Sequence, residues 1–408
     1  MAPVCAPVDV SVSQKMAENI TDLGGVTVDM QGGVYLLTAP IVIPSNYGNV
    51  RFTGGTLRAH GWSDASRFIV EVGDSSCKNG QASCNMEIGF SGMLFDSNLE
   101  AAGSMKITAT MGVSVGPLTY HMGFLKAGMD IEGGHEVMVH ESWFGEFYWG
   151  NPPAFNVSVF NNTVGILING NDHVITDVIV FSSQIGIQVN GGANLVSGAH
   201  TWNCATKRGG RGIVSTFRNT RLEGIYMDFT DFTVVDPSAT VVSDSFFLGG
   251  GRIELVPGSK ATVTGLDLRD NTFWDPYGLT DGATVITNTT SPWSSGKSFS
   301  SVTDASMSGT MIQPGTIFRP LSPRVTRTVK VTQAATRVEI DFAPHMPFSV
   351  TEAPVQSVEY SISASGSSFP GSAARFNSTS LVVSIETSEA FTGSVTVTAD
   401  QSKHSIDV

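Results

Sequence analysis

Carboxylates are the first chemistry the sequence offers. Asp228, Asp231 and Asp236 lie close together, in Tyr226-Met227-Asp228-Phe229-Thr230-Asp231 and Val234-Val235-Asp236-Pro237. Such a group can supply one acid to protonate a leaving oxygen and a second carboxylate to activate water or attack, which is what glycosidic cleavage needs. Asp130/Glu132, Asp172/Asp177 and Glu141/Glu146 compete with it. For any one of these acids, a turn-forming or ladder role is the open alternative.

The most unusual stretch is His200-Thr201-Trp202-Asn203 followed by Lys207-Arg208-Gly209-Gly210-Arg211, a knot of cations in a chain of net charge −13. Lys207, Arg208 and Arg211 can hold the carboxylate of a uronic sugar, with His200 as a proton carrier and Asn203 beside them. The alternative is a solvated loop that pairs with local acids such as Asp228. Trp149, next to Tyr148, is either a ring on which a sugar stacks or a core residue. No Gly-rich phosphate loop ending in Lys-Ser/Thr occurs, no G-x-S-x-G elbow, and no Asp-rich calcium loop. No cofactor and no metal are expected.

These residues must be positioned by something, and the repeats say what. Gly165-Ile166-Leu167-Ile168-Asn169-Gly170-Asn171 returns as Gly186-Ile187-Gln188-Val189-Asn190-Gly191-Gly192. Gly212-Ile213-Val214 opens another copy, and Gly128-Met129-Asp130-Ile131-Glu132 is an earlier, looser one. A second series is aromatic: Trp143, Phe181, Trp202, Phe229, Phe246 and Phe273. Short alternating strands at imperfect periods predict the coils of a parallel β-helix, stacked ~4.8 Å apart with like residues in ladders. With Ile166, Ile168, Ile187 and Val189 inside, Asp130 and Glu132 fall on the outer wall. With Trp202 and Phe229 inside, Thr201, Asn203, Asp228 and Thr230 point out. A face tiled with Asp, Asn, Gln and Thr suits an extended polysaccharide, and a solvated β-helix face would be polar too.

The β-helix is expected over residues 1–310, opened by a short capping helix at 12–23 in which Val12, Met16 and Ile20 share a face. Ser308 to Arg324 reads as a linker. Strand candidates 328–332, 337–342, 357–362, 381–385 and 394–398 then predict a small antiparallel β-sandwich over 325–408. The fold class is all-β. Charged residues are only 14% of the chain, with 44 Gly, which speaks against helical bundles and disorder. An acidic balance excludes a general nucleic-acid footprint, and no apolar run reaches the ~18 residues of a membrane span. Cys77 and Cys84 bracket a Gly-containing loop that a disulfide can close, the alternative being two free thiols. Sequons stand at Asn19, Asn156, Asn161, Asn288 and Asn377. The first residues show no signal peptide, but an extracellular protein is expected.

From Gly24 to Asp275 the chain resembles the quartet-type polygalacturonase-like proteins of plants, in the pectate-lyase-like β-helix superfamily. The matching pieces are Leu23-Gly24-Gly25-Val26 with Gln31-Gly32-Gly33-Val34-Tyr35-Leu36, then Gly54-Gly55-Thr56-Leu57-Arg58-Ala59 and Gly134-His135-Glu136. Further on come Gly170-Asn171-Asp172 with Thr176-Asp177, Ala193-Asn194-Leu195, and His200 through Gly212. Asp228, Asp236-Pro237, Phe246-Phe247-Leu248-Gly249 and Asp270-Asn271 complete the ordered series. The resemblance implies a right-handed parallel β-helix with an N-terminal helical cap, and an extracellular activity on pectin-like polymers. The Asn-Thr-Asp, Asp-Asp, Gly-His-Gly and Arg-Ile-Lys motifs of ordinary polygalacturonases are not found, so no catalytic residues are carried over from them. The expected catalytic set is Asp228 with Asp231 or Asp236, and His200. Asn203, Lys207, Arg208, Arg211, Asp172, Asp130, Glu132 and Trp149 are expected to bind substrate. Two other readings stand beside hydrolysis. One is β-elimination on a uronate polymer. The other is a non-catalytic glycan-binding solenoid, a homotrimer as many such fibres are.

Overall fold

The computed structural model describes residues 15–17, 19–74, 84–145, 162–202, 211–276, 284–313, 324–346, 348, 355–365, 371–377 and 380–401. The chain divides into two compact units, Met1–Leu195 and Val196–Val408. Short parallel strands build the first and most of the second, and the fold is the expected right-handed parallel β-helix.

The capping helix over 12–23 is not there among the described residues. Lys15–Ala17 and Ile20–Asp29 are antiparallel strands joined at Asn19, whose φ is 98°. A helix would satisfy its own backbone, but Ile20–Asp29 instead lies parallel to Tyr47–Ala59 and gives its hydrogen bonds to the solenoid. The Met16 and Ile20 pair that suggested a helical face closes the end of the core. A Cβ on Gly48 would lie 2.8 Å from the Met16 sulfur and 3.2 Å from Ile20 Cγ2.

In the first unit one parallel sheet runs through Ile41–Ile43, Phe68–Val72, Gly103–Thr108, Ala127–Glu132, Val164–Ile168 and Ile185–Val189. Its inward ladders are Met105, Met129, Ile166 and Ile187, and beside them Ile107, Ile131, Ile168 and Val189, all fully buried. The repeated glycine marks the tight entry to these strands. A Cβ on Gly165 would lie 2.5 Å from the Gly186 carbonyl oxygen and 2.4 Å from Val180. A polar residue also lies in the core. His121 is stacked between Phe95 and Phe144 at 4.9 and 4.3 Å, with Thr119 Oγ1 3.0 Å from its Nε2. Cys84 is buried and disulfide-bonded, and Cys77 lies outside the described residues.

In the second unit His200–Trp202, Tyr226–Asp228, Phe246–Leu248 and Thr272–Trp274 stack in register. Arg211–Ser215, Phe232–Val235, Ile253–Val256 and Val285–Thr287 form the next face of the same coils. The inward ladder is Thr201, Met227, Phe247 and Phe273. This corrects the expected register. Thr201 and Thr230 are buried, Trp202 is outward in line with Asp228 and Leu248, and Phe229 sits in a turn with φ 54°. Of the anticipated inner aromatics, Phe273 is inside, while Trp143, Phe181, Trp202, Phe229 and Phe246 are only half-buried. Strands of three residues separated by left-handed turn residues reset the in–out phase at every corner, so alternation cannot be counted across them.

Parallel pairing continues to Met311–Ile312. The C-terminal part is antiparallel. Two pairs of expected strands are in fact two long ones, Arg324–Asp341 and Val382–Asp400, with register shifts between Val331 and Arg337. Ser357–Ala364 flanks one half and Ser372–Asn377, which the sequence did not suggest, flanks the other. Both halves feed one apolar core that includes Val331, Ile340, Phe342, Ile362, Val383, Phe391 and Val397.

Candidate functional site

Asp228 and Asp231 lie at one corner of the second unit, where the chain turns from Tyr226–Asp228 into Phe232–Val235. Three features build this corner. Thr201 Oγ1 and Thr230 Oγ1 lie 2.8 Å apart inside it. Gly212 allows them that place, since a Cβ there would fall 2.5 Å from Thr230 Oγ1 and 2.7 Å from Thr201 Oγ1. On the next coil Gly249 receives the Phe229 ring, which would be 2.3 Å from any Cβ at that position.

Asp228 closes the outward edge of its strand. Its Oδ2 is 3.8 Å from His200 Nε2 on the preceding coil, and the Asp228 side chain keeps 19% of its surface exposed. His200 packs edge-on against Tyr226 at 4.5 Å, and Tyr226 stacks on Phe246 at 5.2 Å. Asp231 begins the following face. Its Oδ1 accepts the Arg252 backbone N–H at 3.1 Å, and its Oδ2 is 4.0 Å from the Arg252 guanidinium. Burial pushes the Asp231 carboxyl up to about 6, with the nearby Glu254 charge adding to the rise and Arg252 and Arg211 opposing it. The side chain is still 15% exposed. Three residues of extended chain separate the Asp228 and Asp231 Cα atoms by about 10 Å at most, and the bend at Phe229 shortens this.

Sequence reasoning missed Glu254 and Arg252. Glu254 is almost fully enclosed and its oxygens are taken. Thr233 Oγ1 donates to one at 2.8 Å, Asn288 Nδ2 to the other at 2.7 Å, and Arg211 Nε stands 3.3 Å away. A signal existed: a glutamate in the otherwise apolar strand Ile253-Glu254-Leu255-Val256 must have a partner.

The other expected residues lie as follows. Asp236 turns the chain at φ 47°, and its two oxygens accept the Gly258 and Lys260 N–H groups at 2.7 and 2.9 Å. In the first unit, Asp172 faces His135 Nδ1 at 3.3 Å and accepts Asn171 Nδ2 at 2.6 Å. Asp130 and Glu132 are on the outer wall, as the repeat register required, paired with Lys126 at 3.0 Å and Lys106 at 2.6 Å. Asn203, Lys207, Arg208 and Trp149 lie outside the described residues.

No family model matches the chain. It is 29% identical over 391 residues to polygalacturonase QRT3 of Arabidopsis thaliana, covering 95% of this chain and 77% of that protein. Among solved structures it is similar to a mutant tailspike protein of E. coli bacteriophage HK620 in complex with pentasaccharide, at 12% identity and TM-score 0.48 over 93% of this chain and 87% of that one. It is also similar to the ORF18 protein of Geobacillus virus E2, at 11% identity and TM-score 0.47 over 88% and 68%. The sequence similarity runs along nearly the whole of this chain, in keeping with its resemblance to the quartet-type polygalacturonase-like proteins.

Proposed function

We propose that the chain is a glycoside hydrolase that cleaves an acidic, pectin-like polysaccharide with Asp231 as general acid and Asp228 as general base. The observation that carries this reading is the raised Asp231 carboxyl, held protonated at mildly acidic pH three residues after a second carboxylate, Asp228, that faces His200. A bonded proton near pH 6 is what protonation of a leaving oxygen requires. In the reaction the glycosidic C–O bond breaks and the Asp231 proton goes to the departing oxygen. Water bonds to the anomeric carbon and gives its proton to Asp228. His200, at 3.8 Å, is placed to take that proton on. The two acids lie three residues apart on the same coil rather than on stacked positions.

Glu254 is buried with each oxygen already accepting a hydrogen bond, one from Thr233 and one from Asn288. Its role is to fix Arg211, which with Arg252 sets the charge around Asp231. Asp236 is assigned to the turn it closes. Lys207 and Arg208, with Arg211 and Asn203, are assigned to substrate carboxylates, and Trp149 to a sugar ring. The similarity to a polygalacturonase supports the substrate class; a secreted, glycosylated cell-wall protein with a Cys77–Cys84 disulfide belongs to the same reading. Asn288 is an improbable glycan carrier, since its amide holds Glu254. The domain boundary belongs between 310 and 325, where pairing changes from parallel to antiparallel.

The test is incubation with oligogalacturonate and related polymers, reading new reducing ends and ultraviolet absorbance together. Asp228→Asn and Asp231→Asn should each lower kcat at least 100-fold with folding intact. Unsaturated products would replace hydrolysis with β-elimination. Binding without new ends from any bound polymer would replace it with a non-catalytic solenoid.

A further inference from the structure

The outer wall of the first unit carries a groove that the proposed chemistry does not use. It encloses about 430 Å³, within the range of sites for small ligands. Its floor comes from successive strands of one parallel sheet, with Glu71, Lys106 and Asp130 aligned across three coils. Thr108 and Glu132 form the next row. Arg67 grips Glu71 through two hydrogen bonds at 2.7 and 2.6 Å. Lys106 meets Glu132 at 2.6 Å, and Lys126 meets Asp130 at 3.0 Å.

Stability does not account for this wall. Pairs as exposed as Lys106–Glu132 contribute about 0–1 kcal/mol, and a β-helix face needs no charge to stay dissolved. Asp130 is enclosed although it faces outward, which costs desolvation that an alanine or serine would avoid. Burial alone would lower the Lys106 ammonium, yet the hydrogen bond and charge of Glu132 hold it above its ordinary value. The wall is therefore a run of paired charges held in place by the coils.

We propose that this groove binds a neutral, polyhydroxylated stretch of a glycan. Each cation already has its carboxylate, so an incoming sugar carboxylate would have to displace one. Three acids, Glu71, Asp74 and Glu132, and three cations, Arg67, Lys106 and Lys126, line the groove, so it offers no net positive charge to draw an anion. Alternating donors and acceptors, repeated at the ~4.8 Å coil spacing, match hydroxyl groups that both donate and accept. The ligand is thus a different part of the polymer from the acidic sugars assigned to the corner of the second unit. The inference rests on that reading only for the choice of glycan backbone.

The experiment is calorimetric titration of the full chain with an oligogalacturonate and with the same oligomer after carboxyl reduction to the neutral sugar. The neutral oligomer should bind more tightly to the Lys106→Met-sensitive site than the acidic one does. Lys106→Met, a change at a partly exposed position, should weaken the neutral oligomer at least tenfold and leave kcat on the acidic polymer unchanged. Arg67→Gln provides a second variant should the first misfold. Absence of neutral-oligomer binding, or a Kd unmoved by both variants, would overturn the proposal. Failure of the hydrolase reading would show separately, as kcat indifferent to Asp231→Asn.

Discussion

Asp231→Asn should cost activity and gain stability, and the gain should follow pH in one direction. Burial lifts this carboxyl from 3.8 to about 6. Each tenfold shift is worth about 1.36 kcal/mol, so keeping the group ionised in the folded chain costs roughly 3 kcal/mol. Its folded-state value is raised, so its favourable contribution is fully present below pH 3.8 and is lost as pH rises through 6. Asparagine keeps the oxygen that accepts the Arg252 N–H and never ionises. The attraction of Arg252 and Arg211 for the carboxylate is already contained in the value of about 6. The net expectation is about 1–3 kcal/mol in favour of the variant above pH 7, shrinking to nothing below pH 4. Urea unfolding of both proteins at half-unit steps from pH 4 to 8 measures it. A variant less stable than wild type at pH 8, or a difference that does not change with pH, would falsify the claim that this carboxylate is strained by its surroundings. The proposed acid role would then lose its physical basis.

Arg252→Gln removes a charge 4.0 Å from Asp231 Oδ2 that opposes the rise of its carboxyl. At least about 1 kcal/mol of attraction is lost, and the alkaline limb of kcat/KM should move up by about one pH unit; a downward move would contradict the assignment. His121 is held neutral by burial, its imidazole pushed down to about 3. The stability that depends on its neutral form is complete above pH 6.5 and is lost as pH falls toward 3. His121→Phe, which extends the Phe95 and Phe144 stack, should therefore lose about 3 kcal/mol less than wild type between pH 7 and pH 4, as read by urea midpoints.

Much of the solenoid was legible because like residues must stack. Gly165, Ile166 and Ile168 returning as Gly186, Ile187 and Val189 announced a coil, and the paired registers are those the repeat implies. The phase of the aromatic series was not legible. Trp202 and Phe246 look like core residues by type, but turns at Gly198 and Asp244 with positive φ place their strands by backbone geometry, not by hydropathy. At the N-terminus, the helical spacing of Met16 and Ile20 lost to a strand pairing with Tyr47–Ala59 that lies many residues away.

The acids of the corner were found by type and density, yet their number and neighbours alone could not divide their work. Asp228, Asp231 and Asp236 read alike in the sequence. Only the tertiary structure gives Asp236 two backbone amides to hold, sets Asp228 against His200, and places Asp231 among Arg252, Arg211 and Glu254. The sequence by itself determined that the chain winds into stacked coils, since periodic apolar residues have few other ways to be buried together. Which carboxyl keeps its proton was decided by solvent access and by charges from other coils, and those distances exist only once the chain has wound.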